Sequence, residues 1–241
     1  MNVWRLGIDE AGRGPCLGPL VVACVAVPES EVHILTSMGV KDSKRLTTVA
    51  RERLHEKILQ ARHSSGWRVT WEALPASTID LAVKDRGLNR LEYLAFATLL
   101  DRMHEPGTDA MAVLDACDVD ESRFRNQVMA RLELEHHGLD VVARHGADDD
   151  DPVVAAASII AKVERDKAVR DLGTRLGLDI GSGYPSDVRT VSALRTLLSS
   201  PKLEQELRWS WATIHRIWSE VNEAPLPVRT VEGLVRQDLL L

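Results

Sequence analysis

Short apolar segments alternate along this chain with longer amphipathic segments, and this alternation most constrains the fold. The apolar segments are rich in Val, Ile and Leu or alternate apolar with polar residues, which predicts β-strands. The predicted strands cover residues 3–9, 20–27, 67–75, 110–116 and 139–148. The amphipathic segments predict helices at 47–65, 88–103, 152–173 and from about 187 to the end. Strands interleaved with helices indicate an α/β domain around a central sheet.

Length, charge and cysteine content narrow the class of protein. The chain has 241 residues, enough for one large domain with its own core, and its net charge of −6 argues against indiscriminate coating of nucleic acid. Cys16, Cys24 and Cys117 are odd in number and lack C-x-x-C spacing, which predicts a reducing compartment without a disulfide framework. With no signal-peptide pattern and no apolar run long enough to cross a bilayer, we expect a cytoplasmic protein.

Carboxylates follow three of the predicted strands at or just past their C-terminal ends. They are Asp9, Asp115 and Asp148, and Glu10 adds a fourth beside the first. Ligand sites of α/β sheets favour these strand ends, because loops converge there. Four carboxylates in one cleft repel one another unless divalent cations neutralise them, and oxygen ligands select Mg²⁺ or Mn²⁺ over zinc. Two such ions about 4 Å apart can activate a water for phosphoryl displacement.

The acidic run before the last predicted α/β helix leaves one assignment open. A single aspartate at a strand end is more often a turn or cap residue. Asp151 precedes Pro152, which suits the first helical position, so Asp151 is most simply the N-cap. Asp149 and Asp150 fit a solvated first turn, and Asp148 has the most freedom to face a metal. Spacing alone does not decide among them.

A glycine-rich segment joins the first two predicted strands. Gly12, Gly14 and Gly18 do not make G-x-G-x-x-G, and no Lys-Ser/Thr pair follows, so neither a dinucleotide-binding nor a Walker loop is present. The glycines still allow the backbone to approach a substrate closely, and Arg13 can hold a phosphate or sugar oxygen.

Two further segments carry weaker indications of binding. The cationic side chains of Lys41, Lys44 and Arg45, taken alone, are more simply a solvated turn than a phosphate-binding patch. Tyr184 lies in a glycine loop before a helix that Ser186 or Asp187 can cap. Its ring either pins its own loop or stacks on a sugar or base.

Taken together, these segments resemble ribonuclease HII, the type 2 ribonuclease H family. They are GIDEAGRGPCLGPLVVA, VKDSKRLT, VLDACDVDESRF, DDPVVAAASIIAKVERD and GSGYPSDVRT, in the family's order, and RWSWAT (208–213) is similar to the R-x-S-W-x-T stretch of archaeal-type members. The resemblance implies a ribonuclease H-like fold, in which helices flank a central mixed β-sheet. We therefore predict a catalytic domain at 1–185 and a helical C-terminal portion packed on it at 186–241.

The resemblance also implies an activity. It implies endonucleolytic cleavage of the RNA strand of RNA–DNA hybrids, including incision 5′ of a single ribonucleotide in duplex DNA. We expect a two-metal hydrolysis with Mg²⁺ or Mn²⁺ that leaves 5′-phosphate and 3′-hydroxyl ends. The family's metal ligands fall on Asp9, Glu10, Asp115 and Asp148. The resemblance selects Asp148 from the acidic run, because it stands four residues before Pro152 as the family's fourth aspartate does.

Substrate-binding residues are implied in the same way. Gly12, Arg13 and Gly14 match the family's reader of the ribose 2′-hydroxyl at the RNA–DNA junction, and Tyr184 matches the tyrosine that packs on the neighbouring deoxyribose. Lys41, Lys44 and Arg45 then become phosphate contacts, which fix register without reading sequence.

Two departures from the family's pattern bear on partners and binding. Gly146 stands where the family commonly has a lysine, two residues before the fourth aspartate. The tail VRQDLLL lacks the paired aromatic residues of a clamp-binding peptide, so we do not expect contact with a sliding clamp. The sequence gives no indication of an oligomer, and we expect a monomer.

Three other activities remain as alternatives. Cleavage of a DNA duplex without any ribonucleotide would favour a metal-dependent nuclease of another specificity. A non-catalytic hybrid-binding module would need a broken acid set, whereas all four acids are present. A small-molecule phosphohydrolase would need neither Tyr184 nor a basic rim.

Overall fold

A computed structural model describes residues 3–40, 46–85, 87–132, 138–202, 204–231 and 233–235. The chain forms two compact units. Unit 1 comprises Met1–Ala11, Val21–Glu72 and Asn89–Glu164, and unit 2 comprises Gly12–Leu20, Ala73–Leu88 and Arg165–Leu241. The predicted division into 1–185 and 186–241 was drawn from the resemblance and stays a prediction.

Unit 1 is built around a five-stranded mixed sheet with the order β3-β2-β1-β4-β5. The strands are β1 (Trp4–Ala11), β2 (Leu20–Pro28), β3 (Arg68–Leu74), β4 (Ala110–Asp115) and β5 (Leu139–Arg144). β1 is antiparallel to β2, with Ile8 opposite Cys24, and parallel to β4, with Ile8 opposite Leu114. β4 is parallel to β5. The carboxyl ends of β1, β4 and β5 therefore lie at one edge of the sheet.

The helices are α1 (Val32–Ser37), α2 (Thr48–Ser64), α3 (Ala76–Asp85), α4 (Leu88–Met103), α5 (Glu121–Met129), α6 (Ala147–Asp150), α7 (Pro152–Leu176), α8 (Val188–Leu198) and α9 (Ala212–Val221). The sheet and its helices confirm the predicted α/β class. The predicted helices 47–65, 88–103 and 152–173 correspond to α2, α4 and α7. Within the described ranges, no helix has both the length and the hydropathy needed to cross a membrane.

The sequence prediction differs from the structure mainly in short elements. α1, α3 and α5 were not predicted, because six to ten residues give too little helical periodicity. Helix was predicted from about 187 to the end, and the structure has α8 and α9 followed by a hairpin of β6 (Val228–Thr230) and β7 (Gly233–Val235). Strands of three residues show almost no alternation of apolar and polar residues.

Helix α7 packs directly on strand β1 at a glycine. A Cβ atom at Gly7 would lie 2.3 Å from the carbonyl carbon of Val153 and 2.4 Å from the nitrogen of Val154. The first turn of α7 is capped by Asp151, whose Oδ1 accepts the N–H groups of Val153 at 2.9 Å and Val154 at 3.3 Å. This confirms Asp151 as the N-cap, and Arg5 in β1 pairs with its other oxygen at 2.5 Å.

Unit 2 has its own core, organised around two tryptophans. Trp209 and Trp218 meet edge to face with ring centroids 5.7 Å apart. The buried carboxylate of Asp80 in α3 accepts the backbone N–H groups of Trp209 and Ser210, both at 3.0 Å, and pairs with the Arg229 guanidinium of β6 at 3.2 Å. These bonds tie α3 and β6 to the segment that precedes α9.

Substituting Gly7 by alanine should destabilise the protein by about 3 kcal/mol, because the added methyl group overlaps the α7 backbone, which cannot move aside like a side chain. Urea unfolding would measure the loss. The control is Gly66→Ala, where nothing lies within 4 Å and only the positive φ of 69° is unfavourable, at about 1 kcal/mol. Equal losses in the two variants would show that the contact at Gly7 is not tight.

Candidate active site

Three aspartates from three elements converge at the carboxyl edge of the sheet. Asp9 lies in β1, Asp115 ends β4 and Asp148 lies in α6, and each offers a carboxylate oxygen within 4.8 Å of the other two. Asp9 is 3% exposed and Asp148 is 1% exposed. Oxygens at this separation can share one cation. The structure therefore brings together three of the four acids that the sequence pointed to.

The fourth predicted acid, Glu10, belongs to a neighbouring group. Its carboxylate lies with Glu92 of α4 and with Cys117, all three donor atoms being within 4.8 Å of one another. Glu92 is fully buried, and its Oε2 accepts the thiol of Cys117 at 2.9 Å. The next residue of α4, Tyr93, donates its hydroxyl to Asp118. Helix α4 thus holds the loop that follows β4, and sequence reasoning missed both of its side chains.

Backbone hydrogen bonds orient the carboxylates. Asp9 Oδ1 accepts the N–H of Glu10 at 2.7 Å, and Asp115 Oδ1 accepts the N–H of Ala147 at 3.0 Å. The second bond links the end of β4 to the first residue of α6. Just before it, Gly146 has φ 61° and ψ 32°. This left-handed conformation costs a residue with a side chain about 1 kcal/mol, which is a physical advantage of glycine at the position where the family commonly has lysine.

A lysine and a serine of α7 lie beside the acids and interact with Asp148. Lys162 Nζ lies 3.7 Å from Asp148 Oδ2 and 2.5 Å from the hydroxyl of Ser158, which is itself 3.4 Å from the same carboxylate oxygen. Burial raises the pKa of Asp9, while the charge of Lys162 and a hydrogen bond from Ser158 oppose the rise. Sequence reasoning missed both residues, although their four-residue spacing on a helix that starts beside Asp148 could have indicated them.

The residues predicted to contact the ribose come together within unit 2. Gly12 has φ 98°, and a Cβ there would lie 2.7 Å from a carbonyl oxygen of the same loop. The ring of Tyr184 packs beside Gly14, with Cε1 3.5 Å from the position of a Cβ. The guanidinium of Arg165 lies 5.0 Å from the centre of the Tyr184 ring, which is 38% exposed. The loop and the ring therefore present one partly exposed surface.

The predicted phosphate contacts Lys41, Lys44 and Arg45 lie outside the described residues, and their role stays a prediction. Asp187 is the residue that caps α8, since its side chain accepts the N–H of Arg189. Cys16, Cys24 and Cys117 form no disulfide within the described residues.

The sequence is similar to one protein family over most of its length. Residues 6–214 match the protein family Ribonuclease HII. The ribonuclease HII of Methanocella arvoryzae is 40% identical over 92% of this chain and 94% of its own length. That of Methanothermobacter thermautotrophicus is 43% identical over 88% of this chain and 97% of its own length.

Solved structures show the same fold. The crystal structure of ribonuclease H2 from Pyrococcus horikoshii is 33% identical, with a TM-score of 0.80 over 92% of this chain and 100% of that one. The RNase HII of Archaeoglobus fulgidus, solved as a complex with PCNA, is 36% identical with a TM-score of 0.75 over 87% of this chain and 95% of that one. Bst-RNase HIII in complex with Mn²⁺, at 21% identity and a TM-score of 0.74 over 92% of this chain and 71% of that one, shares the fold.

Replacing Asp9 by asparagine should stabilise the metal-free protein at neutral and alkaline pH. Burial raises the pKa of Asp9 above 3.8, so the folded chain binds the proton of this carboxyl more tightly than the unfolded chain does. The free energy of unfolding therefore falls as the pH rises from the pKa in the unfolded chain to the higher pKa in the folded chain. The variant lacks this loss, so its Tm should exceed that of the wild type by several degrees at pH 8 in EDTA. The difference should shrink toward pH 4.

The matched control for this measurement is Asp150→Asn, which removes an exposed acid two residues from Asp148 and should leave the Tm of the metal-free protein unchanged. A lower Tm for Asp9→Asn than for the wild type at pH 8 would contradict the prediction.

Proposed function

The chain belongs to the ribonuclease HII family and is a ribonuclease H, and on that premise we propose that it incises duplex DNA on the 5′ side of single embedded ribonucleotides as well as cleaving the RNA strand of RNA–DNA hybrids. The observation that carries the proposal is the convergence of Asp9, Asp115 and Asp148, with carboxylate oxygens within 4.8 Å of one another at the carboxyl edge of a parallel strand set. This constellation suits hydrolysis of a phosphodiester.

The donor set fits a hard divalent cation. The three converging ligand atoms are carboxylate oxygens, which favour Mg²⁺ or Mn²⁺ over softer metals. Burial disfavours the charged form of Asp9, and a bound cation would reverse that preference. Two such ions would lower the pKa of a water and stabilise the leaving oxygen of an in-line displacement that yields 5′-phosphate and 3′-hydroxyl ends.

Within this proposal each acid has a defined role. Asp9 of β1 would help to hold both ions. Glu10, Asp115 and Asp148 would complete their coordination. The ammonium of Lys162 offsets part of the negative charge beside Asp148, and Ser158 holds that ammonium at 2.5 Å. These two residues would help to orient the acid set.

Recognition of the ribose falls to the loop that follows Glu10 in the chain. Gly12 and Gly14 have no side chains, so the backbone of the loop can approach the 2′-hydroxyl, the group that distinguishes RNA from DNA. Tyr184, held by Arg165, offers a partly exposed ring face to the neighbouring sugar. Lys41, Lys44 and Arg45 would contact phosphates without reading sequence.

We also infer a monomeric cytoplasmic enzyme. Thiols that form no disulfide within the described residues suit a reducing compartment.

The test is cleavage of an end-labelled DNA duplex that carries one ribonucleotide, with Mg²⁺ or Mn²⁺. We expect a single metal-dependent cut on the 5′ side of the ribonucleotide and none in the same duplex without it. Asp148→Asn should lower the rate at least a hundredfold, because it removes one charged oxygen ligand from the converging set.

The matched control variant is Asp150→Asn, since this exposed acid lies in the same four-aspartate run and should retain the wild-type rate. Equal rates for the two variants would remove Asp148 from the site. Metal-dependent cutting of the all-DNA duplex would instead favour a nuclease of another specificity. Cleavage of a long hybrid without incision at a single ribonucleotide would leave the metal site in place and refute the role of the glycine loop.

A further inference from the structure

One fully buried cation of unit 2 has no part in the activity proposed above. Arg208 lies between α8 and α9 and is 0% exposed. Its guanidinium donates to three backbone carbonyl oxygens of the glycine loop: Gly12 at 2.6 Å, Arg13 at 3.0 Å and Gly18 at 3.1 Å. Burial lowers the pKa of Arg208 to about 10, so the group stays charged at neutral pH. A buried charge is tolerated only where such acceptors compensate its lost hydration.

These bonds determine which way the peptide groups of the loop point. In a trans peptide the C=O of one residue and the N–H of the next point in opposite directions. Because the carbonyls of Gly12 and Arg13 are turned toward Arg208, the N–H groups of Arg13 and Gly14 point to the opposite side of the loop. The carbonyl of Gly14 accepts Trp211 Nε1 at 3.3 Å, and the residue after it, Pro15, has no N–H. The N–H of Gly14, an exposed residue of the loop, therefore lies on the face away from Arg208.

Other bonds hold the remainder of the loop independently of the Arg208 side chain. Cys16 donates its N–H to the carbonyl of Gly183 at 2.7 Å, and its own carbonyl accepts the backbone N–H of Arg208 at 2.8 Å. The N–H of Gly18 reaches the carbonyl of Glu206 at 2.9 Å. Loss of the guanidinium should thus release the peptides of residues 12–14 while the chain around Cys16 and Gly18 stays in place.

We propose that Arg208 is a positioning residue that sets the enzyme's selectivity for the ribose 2′-hydroxyl, by holding the N–H of Gly14 toward the substrate. The inference rests on the proposed role of the glycine loop. An N–H held in this way can donate a hydrogen bond to the 2′-oxygen of a ribonucleotide, whereas a deoxyribonucleotide has no such acceptor. Arg208 acts through the loop and does not touch the substrate.

The planar fork of arginine is needed for this arrangement. Nε, Nη1 and Nη2 each reach a different carbonyl, whereas a lysine ammonium is a compact charge on a flexible stem. The Trp211 ring lies 5.0 Å from the guanidinium carbon and supports its orientation. We therefore expect Arg208→Lys to keep part of the function and Arg208→Met to keep least.

The experiment compares two quantities in the full-length protein with Mg²⁺. One is kcat/KM on the duplex with a single ribonucleotide. The other is the inhibition constant of the same duplex made entirely of DNA, which measures binding without the 2′-hydroxyl. For Arg208→Met we expect kcat/KM to fall tenfold or more, as for loss of about one hydrogen bond, and the inhibition constant of the all-DNA duplex to change less than about twofold. Arg208→Lys should fall between Arg208→Met and the wild type.

Arg229→Met is the matched control, because Arg229 is also a buried arginine of unit 2 that donates to backbone carbonyls, those of Gln205 and Leu207. It should lower the Tm without changing the ratio of the two quantities. The inference would be overturned if neither Arg208 variant changed kcat/KM on the ribonucleotide duplex relative to binding of the all-DNA duplex. Weakening of both quantities by the same factor would show that Arg208 has only a structural role. A wild-type enzyme that fails to incise at the ribonucleotide refutes the proposed function instead.

Discussion

The approach of helix α7 to strand β1 at Gly7 is the packing contact on which the candidate active site depends. A methyl group at Gly7 would overlap the backbone of Val153 and Val154, so helix and strand meet with no side chain between them. The contact fixes where α7 begins, and Asp151 caps that beginning while pairing with Arg5 of the same strand. The position of Asp148, three residues earlier, follows from this arrangement.

This arrangement buries the carboxylates of Asp9 and Asp148 close together, and nearby positive groups offset only part of their negative charge. Asp9 and Asp148 are almost wholly buried, and burial raises the pKa of Asp9. Lys162 supplies one positive charge at 3.7 Å from Asp148, and backbone N–H groups supply partial charges to Asp9 and Asp115. Without a metal, the negative charges of the site are therefore only partly neutralised. A divalent cation that binds there would supply the missing positive charge.

Sequence reasoning predicted the parts of the fold that carry strong periodicity. β2 is buried along its whole length and reads as a continuous apolar run, and α7 is long enough for its period to be clear. The acids near the carboxyl ends of β1, β4 and β5 could be grouped because parallel strands end at one edge. The hairpin of β6 and β7 was missed, since three-residue strands carry no readable pattern.

The missed functional residues share a different cause, which is that their burial arises only from tertiary packing. Lys162 is partly buried and Arg208 is fully buried, and nothing in the local sequence distinguishes either from a solvated cation. Glu92 lies in an amphipathic helix where a glutamate is ordinarily exposed, yet it is fully buried against Cys117. Each becomes visible only when the partner atoms are placed, because a charge is buried where acceptors or counter-charges meet it.

The residues proposed for hydrolysis and for ribose recognition are neighbours in the chain, but they use different chemical groups. The first set uses carboxylate side chains and the second uses backbone N–H groups, so substitutions affect the two functions differently. The residues proposed for hydrolysis would act through their side chains, so a single substitution at Asp9 would alter that set directly. The proposed reader at Gly14 acts through its backbone N–H, which every residue except proline has. Apart from proline, no replacement at that position deletes the donor. The direction of this N–H can still change through the group that holds the preceding carbonyl, that of Arg13, and in this chain that group is Arg208. On the proposed role of Arg208, selectivity for ribose would be adjustable from a residue almost two hundred positions away in sequence without altering the carboxylates.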